Sequence, residues 1–125
     1  IICAQKRFLT DKHLQAVGIN SRDNIVIAGA QDEYGCPQFD NLWDPEKRPQ
    51  RPEIYYDQAE KEFVGLSEKF CNKHPEIGAL VLECTGMQPF ARSLQQRVDL
   101  PVFSWGTLLD YAFSVVVHRD YYGHV

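Results

Sequence analysis

Two kinds of apolar pattern alternate along the chain. Short continuous runs, "IIC" at 1–3, "NIVIAGA" at 24–30, "IGALVLE" at 77–83 and "LPVFSW" at 100–105, are rich in β-branched residues. Such runs predict strands covered on both faces. Between them lie segments with apolar residues every three or four positions, the helical period. "LTDKHLQAVGI" has Thr10 as an N-cap, Asp11 in the first turn and Gly18 at the helix end. In "YYDQAEKEFVGLSEKFCNKH" the residues Ala59, Phe63, Leu66 and Phe70 share one stripe, and Pro75 ends it. "QPFARSLQQRV" places Pro89 in a first helical turn and Leu94 with Val98 on one face. "GTLLDYAFSVVVHRDYY" predicts a closing helix, although its "SVVV" run is better suited to a strand.

Strands alternating with helices imply an α/β fold with a parallel four-stranded sheet flanked by helices, in a single domain over 1–125. One stretch breaks the pattern. Residues 31–54 contain four prolines and no clear period, which predicts a long Pro-rich loop, lid-like or poorly ordered.

Charge and composition narrow the function classes. The 125 residues carry 13 Lys and Arg against 17 Asp and Glu, a net charge of −4. That balance argues against a nucleic-acid or anionic-membrane surface. No apolar run approaches the roughly 18 residues of a membrane span. The cysteines at 3, 36, 71 and 84 form no CxxC pair, and no histidines cluster at metal-ligand spacing, so no metal site is expected. A chain of this size builds a core without disulfides, and reduced thiols in a cytoplasmic protein are expected. The sequence opens "IICAQ", as if inside a structural element.

The stretch "LVLECTGMQPF" sets Cys84 at the end of a strand and ahead of a helix. Ligands of open parallel sheets bind beyond the carboxyl ends of the strands. Free amides and the helix dipole there favour an anion and lower a cysteine pKa. Thr85 adds a hydroxyl, and Gly86 allows close backbone approach. Taken alone, the residues leave two readings open: a reactive thiol beside a carboxylate cradle, or a small buried hydrophobe.

"ALVLECTGMQPFARSLQQRVDLPVFSWGTLL" resembles the C-terminal half of the aspartate/glutamate/hydantoin racemase superfamily, and "IICAQKRFLTDKHLQAVGI" resembles the segment opening its second lobe. The resemblance implies one lobe of a two-lobed α/β protein. One cysteine from each lobe would face the substrate α-carbon, and the centre would invert without a cofactor. Carried over by position, Cys84 is the thiol acid/base, Thr85 a donor beside it and Gly86 the adjacent backbone. Cys3, with Ala4 and Gln5, falls where relatives contact substrate, often with threonine. Ser104 stands where many relatives have aspartate. The implied substrate is an amino acid or related carboxylate. The first lobe and its cysteine do not occur in the sequence, so the chain reads as half of an enzyme, inactive alone. Two alternatives stand beside racemisation. One is a one-cysteine relative, resembling arylmalonate decarboxylase or maleate isomerase. The other is a non-catalytic binding or assembly module.

The remaining features read as scaffold. Cys71 is expected to pack along its helix and Cys36 to be exposed in its loop. "WDPEKRPQRPE" nearly balances acids with bases and reads as solvated. His13, His74 and His118 read as dispersed surface residues, with His124 at the tail. Phe113, Val116, Tyr121 and Tyr122 are expected to lack cover, which favours a homo-oligomer if the other lobe is absent.

Overall fold

The computed structural model of the chain describes residues 1–32 and 34–123, Trp43 by its backbone alone. His124 therefore lies outside the described residues. The regular elements are β1 (Ile2–Cys3), α1 (Asp11–Ala16), β2 (Ala28–Gly29), α2 (Pro37–Trp43), α3 (Tyr56–Lys73), β3 (Leu80–Val81), α4 (Ala91–Val98), β4 (Val102–Phe103) and α5 (Trp105–Val116). Two 3₁₀ segments, Lys6–Phe8 and Thr85–Phe90, follow β1 and β3. The chain is thus mixed α/β with parallel strands.

The sheet differs from the continuous four-stranded one expected. It consists of two parallel pairs, β1 with β2 and β3 with β4. They meet at one bridge, Ile2 with Leu82, where the Glu83 amide donates to the Ile2 carbonyl at 2.9 Å. The ladders are short because each apolar run is paired over only part of its length. In the 24–30 run, Ala28 donates to Ile1 and Ala30 to Cys3, and β1 offers regular pairing only over Ile2–Cys3. All four strands still run the same way, so their carboxyl ends, 4–6, 30–32, 83–86 and 104–105, are brought to one edge.

Helices supply most of the core. Ala59, Phe63, Leu66 and Phe70 of α3 are all buried, as their spacing predicts, with Ser67 between them donating to the Phe63 carbonyl at 2.8 Å. Leu94 of α4 is buried against them and Val98 half-buried. Fully burying such side chains is worth about 1.5–3 kcal/mol each.

The Pro-rich stretch is not a plain loop. Pro37 occupies the first turn of α2, where its missing N–H costs no hydrogen bond. The helix drives Phe39 into the core, 5.7 Å from the Phe63 ring and 5.9 Å from Phe90. Gln38, also buried, accepts from the Tyr55 amide, and its own amide donates to Glu62. Cys36, expected in solvent, is buried as the N-cap of α2. The exposed portion is 45–53, where Lys47 pairs with Asp40 at 2.9 Å.

Helix α5 is the exception to this packing. Each of its twelve residues is described and none is buried. The expected helix stops at Val116, and 117–122 has no regular structure. Its start is well fixed: Ser104 and Thr107 form a capping box, the Ser104 amide donating to Thr107 Oγ1 at 2.9 Å. No helix among the described residues is long and apolar enough to cross a membrane.

Candidate functional site

The four strand ends bring together residues far apart in sequence. Across the edge stand Gln31 and Asp32 after β2, Gln5 and Lys6 after β1, Cys84 to Gly86 after β3, and Ser104 and Trp105 after β4. Asp32 accepts from the Lys6 amide at 2.8 Å. The carboxylate lies where a side chain at Gly29 would stand, so the turn requires glycine. Gln5 donates to Gln31 at 3.4 Å, and Gln31 donates to Asp40 at 2.8 Å. Helix α2 is thereby tied to the strand edge.

Cys84 is half-buried at the end of β3 and caps the 3₁₀ segment that carries the chain into α4. The nearby Gly86 amide acts to lower the thiol pKa, but desolvation by burial outweighs this, and Glu83 adds repulsion. The net shift is upward, opposite to the expectation of an ionised thiol. The segment after Cys84 is 3₁₀, and α4 starts at Ala91, so no α-helical amino terminus faces the sulfur directly. Pro89 lies inside the 3₁₀ segment, ahead of α4.

Thr85 is exposed beside Cys84, at the start of that segment, with Gly86 half-buried next to it. Cys3 belongs to the neighbouring strand, but its sulfur is buried and donates to the Ala28 carbonyl at 3.4 Å. Burial, with Glu83 and Asp32 nearby, pushes its pKa up to about 11. Burial likewise pushes Cys36 up to about 12. Cys71 is half-buried against the core, as expected. All four cysteines are free thiols. Among the described residues no His, Cys, Asp and Glu group could hold a metal.

The chain is similar to a known lyase. It is 30% identical over 60 residues to dimethylsulfoniopropionate lyase 5 of Emiliania huxleyi, a match covering 48% of this chain and 12% of that protein. The chain thus spans far less than two thirds of this relative. No protein-family model matches the chain, and no solved structure matches it.

Two features of the edge have little trace in the sequence. A cavity of about 570 Å³ opens between the ends of β3 and β4 and the start of α5, lined by Val81, Glu83, Phe103, Trp105, Leu108 and Tyr111 among others; Cys84 does not line it. At its wall Trp105 Nε1 donates to the Glu83 carbonyl at 3.2 Å, and at the next residue of α5 the Gly106 amide donates to Gln88 Oε1 at 2.9 Å. Ser104, where the resemblance expected an aspartate, is used to cap α5.

Proposed function

We propose that Cys84 is a thiol acid/base acting on the carbon α to a carboxylate, in a cofactor-independent protein of the aspartate/glutamate/hydantoin racemase kind. The observation that carries this reading is the position of Cys84. It is half-buried at the carboxyl end of a parallel strand, with the Gly86 amide near enough to act against the rise in its pKa. Of the four thiols, Cys84 alone combines a strand end, partial exposure and a following turn of backbone amides. Cys3 and Cys36 are sealed and Cys71 lies on a helix.

The raised pKa defines the resting state as a thiol, the proton-donating form. In racemisation a base on one face takes the α-proton, and the C–H electron pair moves into the carboxylate as an enediolate. The Cys84 S–H then delivers its proton to carbon from the other face, leaving a thiolate stabilised by the Gly86 amide. The opposing base comes from a second lobe or subunit. Thr85 and the amides around Gly86 supply donors for the enediolate oxygens, the preorganised stabilisation such an intermediate needs. In this reading the two bridged strand pairs act as one sheet within a two-lobed fold, and the free thiols suit the cytoplasm.

The similarity to a dimethylsulfoniopropionate lyase supports the same chemical class. Loss of a sulfonium group from the β-carbon of a propionate is set up by removing the proton α to its carboxylate. Racemisation begins with that same step. The test is deuterium incorporation from solvent at the α-carbon of amino acids and of dimethylsulfoniopropionate, with Cys84→Ala alongside. Exchange that depends on Cys84 supports the proposal, and dimethyl sulfide release would identify the lyase branch. Exchange that persists in Cys84→Ala removes the thiol from the mechanism.

One observation favours the assembly reading as well. Phe103, Trp105, Tyr111 and Phe113 are 56, 47, 70 and 63% exposed. At roughly 200 Å² per aromatic side chain, these four present about 470 Å². Leu108, Leu109, Val115 and Val116 extend the same helix and are also exposed. Together they approach the ~800 Å² per partner of a standard interface. The occupant proposed for this surface is a second copy of the chain. Sedimentation giving a dimer at tens of micromolar, an order-of-magnitude working concentration, supports it; a monomer overturns it.

A further inference from the structure

We infer that Gln88 and Trp105 are positioning residues, through which the first turn of α5 holds the Cys84 turn in its working geometry. The inference rests on the reading of Cys84 as the reacting group. The turn runs from Glu83 to Gln88, and both ends are pinned to consecutive residues of α5. At its start, Trp105 Nε1 donates to the Glu83 carbonyl at 3.2 Å. At its end, Gln88 Oε1 accepts from the Gly106 amide at 2.9 Å. The capping box of Ser104 and Thr107 fixes the donors themselves. Just beyond, the Pro89 carbonyl accepts from the Tyr56 hydroxyl at 3.1 Å, so the exit is held from α3.

Gly106 is the tell-tale element. A Cβ there would overlap the Gln88 side-chain amide, which occupies that space. A larger residue at 106 would push Gln88 away from the backbone amide it accepts from. The clamp keeps Cys84 partly desolvated. Loosening it exposes the sulfur and moves its pKa down toward the ordinary thiol value, since desolvation is the largest cause of the rise.

The test measures iodoacetamide alkylation of Cys84 and Cys71 in the full chain across pH 7–10, by mass spectrometry. The variants are Gly106→Ala and Gln88→Leu, with Gly65→Ala as control because its added methyl meets nothing. Alanine favours a helix over glycine, so Gly106→Ala is expected to keep or raise the melting temperature. Both test variants are expected to speed Cys84 alkylation at neutral pH by about three- to tenfold, the factor one neutral hydrogen bond is worth. Cys71 and the control stay unchanged. A Cys84 rate and pH profile unchanged in both variants overturns the inference, whatever the melting temperatures. Alkylation reads the thiol whether or not the chain turns over substrate. A chain that fails deuterium exchange therefore removes the catalytic reading without deciding this one.

Discussion

Helices α3 and α5 invert the usual link between apolar content and burial. Helix α3 carries seven charged residues among its 18, yet its Ala59, Phe63, Leu66 and Phe70 line one stripe and are sealed against α2, α4 and the strands. Helix α5 reads "WGTLLDYAFSVV", with Asp110 its one charged residue, and buries nothing. A narrow stripe is satisfied by one neighbour. A helix apolar on every side needs cover on several, and among the described residues α5 packs chiefly on β4 and the Thr85–Phe90 segment. The buried half of the molecule therefore determines stability, and the bare half is available for association.

That contrast is open to direct challenge, beginning with the core. Phe63→Ala or Phe39→Ala is expected to lower stability by about 3–5 kcal/mol, the range for a buried phenylalanine, as read by urea denaturation. A loss below about 1 kcal/mol would mean that the aromatic cluster of Phe39, Phe63 and Phe90 is not packed as described. Next comes alkaline pH. Cys3 and Cys36 are neutral in the fold up to about 11 and 12, whereas in the unfolded chain they ionise near 9.0, the ordinary value for these thiols. The unfolded state thus binds fewer protons from about pH 9 upward. Stability should fall over that window, by at most about 1.4 kcal/mol per pH unit for each thiol. The double variant Cys3→Ala/Cys36→Ala should flatten the fall. An unchanged slope would place both sulfurs in water. The smallest effect is expected on α5, where Phe113→Ser should change monomer stability within about 0.5 kcal/mol while weakening self-association. A large loss of monomer stability would show that this helix is covered after all.

How far the sequence foretold the molecule follows from the same physics. Helices α3 and α4 were legible because a single buried face writes its period into the chain, and Pro75 closed α3. The strands were legible as elements but not in extent: the apolar runs are longer than the ladders, since pairing depends on what lies alongside. Helix α2 was hidden by the prolines around it, although Pro37 at a first turn is itself a helix-start signal, and with it went the burial of Cys36. Cys84 could be placed at a strand end from its neighbours alone. Its pKa could not, because the sign turns on desolvation of the sulfur in the fold. The pairs Trp105 with Glu83 and Gln88 with Gly106 join residues about 20 positions apart, and no local pattern announces them.

The central claim is that the Cys84 thiol sits in a site for small carboxylates. Differential alkylation of all four cysteines, with and without millimolar aspartate or dimethylsulfoniopropionate, tests it most directly. Cys84 should react ahead of Cys3 and Cys36, and a carboxylate ligand should slow Cys84 while leaving Cys71 untouched. Cys84 as inert as the two sealed thiols, or indifferent to every carboxylate offered, would contradict it.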